Sequence, residues 1–362
     1  MKLRRRANAA AIFLFTILFA IPLAGAQEGG WLRLELRRHS SGVLYGATSE
    51  LEDPGPGAWG RYGPERLFDR DPGTAWSEGV PGDGLGEAIY VAVEPGTVAL
   101  GFRSGFARND RLFEANNRPR FLRLTLIGAL NLEGFATEYA TVYDGKALVP
   151  TARIPLEDRR TAQRVELPFN WERLEEAMAS LLESEEVREM HFPQAREMGL
   201  GPEAPIPMDW QYVLRIEIES VYHGDRWADT CIAELWPDYG PVAAVSVNED
   251  GSALISSTEA GYEPVVYRND ELVMELAATS PEAEWVILTA VARGAQEGRR
   301  ESEYLLVNSS TGHELTEEIT GSAYPLLLGF EPGRRGPRVL VGEPGETESF
   351  LCELYPFNEA TR

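Results

Sequence analysis

The stretch Leu67-Phe68-Asp69-Arg70-Asp71-Pro72-Gly73-Thr74-Ala75-Trp76 holds two carboxylates at spacing two, a Pro-Gly turn, a hydroxyl and a large aromatic. It reads as an elbow that feeds a buried strand. Asp69, Asp71 and Thr74 offer hard oxygen ligands of the kind Ca²⁺ takes in a tight turn, together with backbone carbonyls. Far downstream, Asp229 to Leu235 reads as a late β-strand, and Glu234 within it can close the same site. If both ends meet at one ion, the chain between them must fold as a β-sandwich. The alternative is that Asp69 and Asp71 hold the turn through bonds to their own backbone. Spacing alone leaves both readings open.

The elements that would position such a site are mostly strands. Between Tyr62 and Trp236, Ala88–Val93, Thr97–Phe102, Phe121–Ile127, Gln163–Leu167, Tyr212–Tyr222 and Asp229–Leu235 carry apolar residues at period two or in short apolar runs. Gly and Pro clusters separate them, which favours an antiparallel sandwich over strand-helix-strand units. One helical insertion is expected over 170–191. Asn170 can cap it, and Leu174, Met178, Leu181 and Leu182 form its apolar stripe. From Tyr239 to Arg362 the pattern changes to short hairpins, among them Asn248-Glu249-Asp250-Gly251-Ser252 between apolar runs. Their rhythm resembles β-propeller blades. At about 40 residues per blade the segment is too short to close a ring, so a small all-β domain is expected over 239–362.

The chain opens as an export signal. Lys2, Arg4, Arg5 and Arg6 precede an apolar run from Ala9 to Leu23, and Ala24-Gly25-Ala26 fits a cleavage site. The run is shorter than the roughly 20 residues of a spanning helix. A secreted or periplasmic protein is expected, with residues 1–26 removed and no membrane insertion afterwards. The 34 basic residues less these four leave 30 against 57 acidic, a net of −27. That balance opposes nucleic acid and anionic lipid as partners. It favours divalent cations. Two cysteines remain, Cys231 and Cys352. In an oxidising compartment they can pair, or each can pack as a small buried hydrophobe.

Several blocks together carry a resemblance. They are Tyr62 to Gly79, Gly82 to Ile89, Gly101-Phe102-Arg103-Ser104-Gly105-Phe106, Asn116-Asn117-Arg118-Pro119-Arg120, Val221-Tyr222-His223-Gly224 and Asp229 to Leu235. Over about residues 40–237 the chain resembles the discoidin-like, coagulation-factor type C jelly roll. More narrowly, it resembles the glycan-binding domain found on bacterial NAD-glycohydrolase toxins and on exported proteins without the toxin part. The resemblance implies an all-β, galactose-binding-domain-like jelly-roll sandwich over 31–237. It also implies a structural Ca²⁺ held by Asp69, Asp71, Thr74 and Glu234, with backbone oxygens of Arg66 and Ala233. Loops on a rigid sandwich carry its binding site, and Glu78, Arg103, Phe106, Asn117 and Arg118 lie in the matching loops. Asn and Arg can fork onto sugar hydroxyls, and an aromatic face can pack on a sugar ring. Trp76 is expected in the core rather than at a sugar.

No catalytic set emerges. Glu217-Ile218-Glu219 has the spacing of NAD-cleaving sites, but both carboxylates point to one face of an alternating strand. The chain has no Gly-rich phosphate loop, no His-Glu-x-x-His and no Gly-x-Ser-x-Gly elbow. The expectation is a non-catalytic carbohydrate-binding protein. The alternatives are a structural module that binds another protein and, disfavoured by the missing catalytic set, a NAD-glycohydrolase-like enzyme acting through Glu217 and Glu219.

Overall fold

The computed structural model describes residues 30–39, 42–52, 60–132, 140–294, 302–321, 325–332, 337–342 and 349–354. The leader expected at 1–26 lies outside them.

Strands dominate the first module. They are β1 (Leu32–Arg38), β2 (Leu44–Ala47), β3 (Trp76–Ser77), β4 (Ala88–Val93), β5 (Ala99–Ser104), β6 (Arg118–Leu132), β7 (Thr141–Ala147), β8 (Ala152–Pro155), β9 (Gln163–Glu166), β10 (Met208–Tyr222) and β11 (Cys231–Asp238). The larger sheet has the order β10-β4-β2-β1-β7-β6-β8, and β10 also pairs with β6. Six of its strands therefore close into a ring. The smaller sheet has the order β3-β11-β5-β9. Within both sheets these strands pair antiparallel.

The long strands β6 and β10 pair from Met208↔Leu132 to Tyr222↔Arg118. Their period of two sorts the side chains. Leu122, Leu124, Leu126 and Leu130, with Tyr212, Leu214, Ile216 and Ile218, enter the main core, which they share with the smaller sheet. Ile127, Ala129 and Val213 point the other way, into the ring, against Leu34, Leu36 and Tyr143. A strand covered on both faces reads as a continuous apolar run, and Leu126–Leu130 is such a run. Beyond the ring the outward face becomes charged. Arg123 meets Glu217 at 3.3 Å and Arg153 meets Glu219 at 2.8 Å. Glu217 and Glu219 thus share the outward face, each beside an arginine. Trp76 is fully buried, as expected of it, and its Nε1–H donates to the Ser49 carbonyl at 3.0 Å.

Among the described residues of the first module, three helices accompany the sheets: α1 (Asp110–Ala115), α2 (Trp171–Leu182) and α3 (Glu185–Glu197). Asn170 caps α2 as expected, its Oδ1 accepting from the Arg173 N–H at 3.0 Å. The single helix expected over 170–191 is in fact two. The Ser184 hydroxyl accepts from the Val187 N–H at 3.3 Å and starts α3 afresh. Trp171, Leu174, Met178, Leu181 and Val187 complete the main core. The pair is part of the core rather than an appendage at a sheet edge. The short α1 was not expected. Asn109 caps it through the Leu112 N–H at 3.0 Å, but six residues are too few to show helical periodicity.

The second module is three meanders in succession. The first is β12 (Val242–Val247), β13 (Ala253–Thr258) and β14 (Val265–Arg268). The second is β15 (Leu272–Thr279), β16 (Trp285–Ala292) and β17 (Glu303–Asn308). The third is β18 (Leu326–Pro332), β19 (Pro337–Gly342) and β20 (Ser349–Glu353). Strand β16 lies in the middle and alternates between two cores. Val286, Leu288 and Ala290 meet Leu254 of the first meander, while Trp285 and Ile287 meet Val339 and Val341 of the third. The blade-like rhythm of the sequence is a stack of three sheets. The modules touch at several points: the Tyr239 N–H donates to the Ser310 carbonyl at 3.1 Å, and Trp236 lies edge-on to His313 with centroids 4.9 Å apart.

Candidate functional site

The elbow forms where expected, between a 3-10 turn over Pro64–Leu67 and β3. Its carboxylates bond inward. Asp69 accepts from the Thr74 hydroxyl at 2.9 and 3.1 Å and from the Asp71 N–H at 3.0 Å. The Arg66 guanidinium lies 3.4 Å from the same carboxylate. Asp71 accepts from the Gly73 N–H at 2.7 Å. Glu234 lines the same cavity as Asp69; burial raises its carboxyl, Arg103 eases it, and Asp69 and Asp71 raise it further. Yet Glu234 bonds Arg103 Nε at 2.5 Å, opposite it in the β11–β5 register. Ala233, whose backbone oxygen was expected in the shell, is fully buried within β11. Among the described residues no group of three or more His, Cys, Asp or Glu side chains is placed to hold a metal ion. As arranged, the expected Ca²⁺ set does not fit a cation. Two guanidinium groups and a network of turn bonds take the lone pairs an ion would need.

The elbow has a different evident task. Arg70 adopts a left-handed backbone, φ 61°, which a non-glycine residue seldom does. That turn sends its side chain to the second module. There Arg70 donates to the Gly312 carbonyl at 3.0 Å and lies 5.7 Å from the Tyr267 ring centroid.

The five residues expected to contact a ligand gather at one end of the sandwich, but they face inward. Glu78 is fully buried and accepts from the Val80 N–H at 2.8 Å and the Thr230 N–H at 3.2 Å. Burial raises its carboxyl, and these two backbone bonds counter the rise. Asn117, also buried, donates to Asp83 at 3.0 Å and to the Ala228 carbonyl at 2.8 Å, and accepts from the Gly224 N–H at 2.8 Å. Arg118 forks onto Asp158 at 2.7 and 2.9 Å and donates to the carbonyls of Phe113 and Asn116. Arg103 pairs with Glu234, both nearly buried. Phe106 is half-buried against the cluster of Ala75, Ala107, Cys231 and Ala233. In the structure these groups support the loops they lie in. The polar ones among them bond to neighbouring loops, and Arg103 bonds to Glu234 of β11. Gly105, at φ 72°, leaves room for Arg118 and Phe113, whose atoms a Cβ would meet at 2.8 Å.

What the supports hold outward was not among the expected residues. The N–H groups of Asp225, Arg226 and Trp227 donate to the carbonyls of Glu114 and Ala115, pinning that loop along α1. Trp227 stays 38% exposed, with the Arg226 guanidinium 4.4 Å from its ring centroid. Asn109, Arg111, Leu112, Glu114, Asp225 and Trp227 border an open cavity of ≈ 760 Å³. A tryptophan directly after Asp225-Arg226, between two strands, was the signal available in the sequence.

The cysteines do not pair. Both are free thiols. Cys231 is buried in the first module, where burial pushes its thiol up to about 12. Cys352 packs against the core between the second and third meanders. Each behaves as a small hydrophobe.

A second and larger cavity, ≈ 880 Å³, lies between the modules. Arg38, His39, Asp69, Arg70, Glu94, Gln211 and Glu234 line it from one side, and Tyr267, Arg268, Asp270, Glu271 and His313 from the other. His313 is held neutral: burial lowers it well below the usual histidine value, and Arg70 and Arg103 push the same way. Among the described residues no helix is long and apolar enough to cross a membrane.

No family model and no curated protein matches the chain. Among solved structures, a cryo-EM structure of the arabinofuranosyltransferase AftD from Mycobacteria is similar at 12% identity with a TM-score of 0.27; the likeness covers 60% of this chain and spans 12% of that one.

Proposed function

We propose that the chain is an exported, non-catalytic carbohydrate-binding protein whose first module is a discoidin-like jelly roll with its sugar contacts at the loop end around Trp227. The observation that carries this reading is the exposed Trp227 ring, backed by Arg226 and set beside Asp225 in an open cavity. An aromatic face with flanking charged donors and acceptors is what a sugar ring and its hydroxyls require. The buried supports beneath it fix the loop before any ligand arrives, which lowers the ordering cost of binding. Export follows from the basic, apolar and small-residue pattern of the first 26 residues. The elbow Ca²⁺ of the resembled family would have to displace Arg103 from Glu234 and Thr74 from Asp69, so the reading does not depend on it.

A glycan array with the mature protein and with Trp227→Ala tests the proposal. Selective binding by the wild type that Trp227→Ala abolishes is the expected result. Equal binding by both removes the loop-end site. No binding by folded wild type removes the carbohydrate reading, and a co-purifying protein partner would then point to an interaction module.

A further inference from the structure

We infer that the cleft between the two modules is a second ligand site, shaped for a neutral, hydroxyl-rich saccharide. The inference rests on the carbohydrate reading but not on the Trp227 site. Ligand cavities concentrate where folding units meet and commonly measure roughly 300–1,000 Å³; this one is ≈ 880 Å³. Its walls come from elements distant in the chain. Glu94 follows β4 and Gln211 lies on β10, while Arg268 ends β14 and Asp270 and Glu271 form the turn after it.

These five side chains share a property that the loop-end residues lack. Among the described residues, none of them makes a side-chain hydrogen bond or a close ion pair with the protein. Glu94 is exposed, yet burial raises its carboxyl against the lowering effect of Arg268. A group that solvent reaches while protein surrounds it is a group looking into a cleft. Polar side chains of both signs therefore converge on one cavity with their hydrogen-bonding capacity free.

The chemistry of the set selects the ligand. Three carboxylates, one guanidinium and one amide leave a net negative wall. Phosphates and uronates are repelled by it. The guanidinium among the acids, and the absence of a metal cluster among the described residues, disfavour a bare dication. Hydroxyls suit it, because each can donate to a carboxylate and accept from Arg268 or Gln211. Arg70 bridges to Gly312 and Tyr267 at the base of the cleft and fixes the spacing of its two walls.

Calorimetric titration of the full mature chain with a panel of neutral di- and trisaccharides, alongside uronic-acid and amino-sugar counterparts, tests this. Neutral sugars should bind, and Glu94→Gln or Arg268→Ala should each weaken binding about tenfold or more, as expected for a lost hydrogen bond to a charged group. Binding should persist in Trp227→Ala. Asp270→Asn serves as the second acidic variant if Glu94→Gln fails to fold. Wild-type affinity in the folded cleft variants overturns the inference, as does binding of the charged sugars alone. Loss in Trp227→Ala with normal cleft variants keeps the loop-end site and removes the cleft. Loss in the cleft variants with normal Trp227→Ala does the reverse. No binding of any sugar by folded wild type removes both.

Discussion

The loop end and the inter-module cleft are built from the same residue types, and they use them in opposite ways. At the loop end, Glu78, Asn117 and Arg118 are buried and bonded to backbone or to neighbouring aspartates. In the cleft, Glu94, Arg268, Asp270 and Glu271 are charged groups of the same kinds but reach open space. The difference follows from what each must solve. Loops at the end of a sandwich have backbone groups with no ladder to join, and buried side chains supply the missing partners. The cleft walls end in strands and turns whose backbone is already paired, so their side chains remain available. A polar residue in a patterned loop is therefore weak evidence of ligand contact until its own partners are known.

That contrast can be broken by mutation, and the largest effect belongs to the buried pair. Arg103→Ala should destabilise the protein by about 3–5 kcal/mol in urea unfolding, because Glu234 is left as an uncompensated buried charge. A cost below about 1 kcal/mol would show that the pair is solvated in solution. Next comes Asn117→Ala, which removes three bonds that tie the loops of Asp83, Gly224 and Ala228 together. About 2–3 kcal/mol is expected, since buried backbone partners lose their bonds. By contrast, Glu94→Gln in the cleft should change stability by less than about 0.5 kcal/mol. A loss there as large as at Asn117 would erase the distinction between support and site.

A pH titration sharpens the comparison from the cleft side. In the folded chain His313 is neutral, its pKa lowered by burial and by Arg70 and Arg103, whereas in the unfolded chain it titrates near 6.5. Below pH 6.5 the unfolded state binds a proton that the folded state refuses. Stability conferred by neutral His313 is fully present above that pH and declines as pH falls, by up to about 1.4 kcal/mol per pH unit for one proton. Urea unfolding of the wild type and of His313→Gln between pH 7 and pH 5 measures it. The difference in their slopes should have this sign; parallel slopes would place His313 in contact with water. The smallest effect concerns the elbow. Ca²⁺ in place of chelator should leave Tm unchanged, since Arg66 and Arg103 neutralise Asp69 and Glu234. An ion at 100 times its Kd would add about 2.7 kcal/mol, and a rise of that order would return the elbow to metal binding.

Much of the fold was legible in the residues. Alternation in Tyr212–Tyr222, the Asn170 cap and the Asp250-Gly251 turn are local signals, and each element stands where its signal lies. Asp69 and Glu234 line one cavity, a meeting that the spacing alone left open. What the cap signal at Ser184 meant was harder to see, because Glu183, Glu185 and Glu186 flank it and mask the break. The ring closure through β1 and β7 was not visible. It is a pairing of strands about a hundred residues apart, and period two shows which faces are apolar but not what covers them.

The sequence by itself determined that strands dominate and that an elbow with two aspartates precedes a core tryptophan. These depend on local backbone preference and on periodicity, which neighbouring residues fix. Only the tertiary structure decided which polar groups remain free. That depends on burial and on partners far along the chain: Arg103 reaches Glu234, Glu78 reaches Thr230, and Arg70 crosses to Gly312. The same carboxylate is a ligand group or a strut according to whether the fold supplies it a partner, and no spacing in the sequence records that.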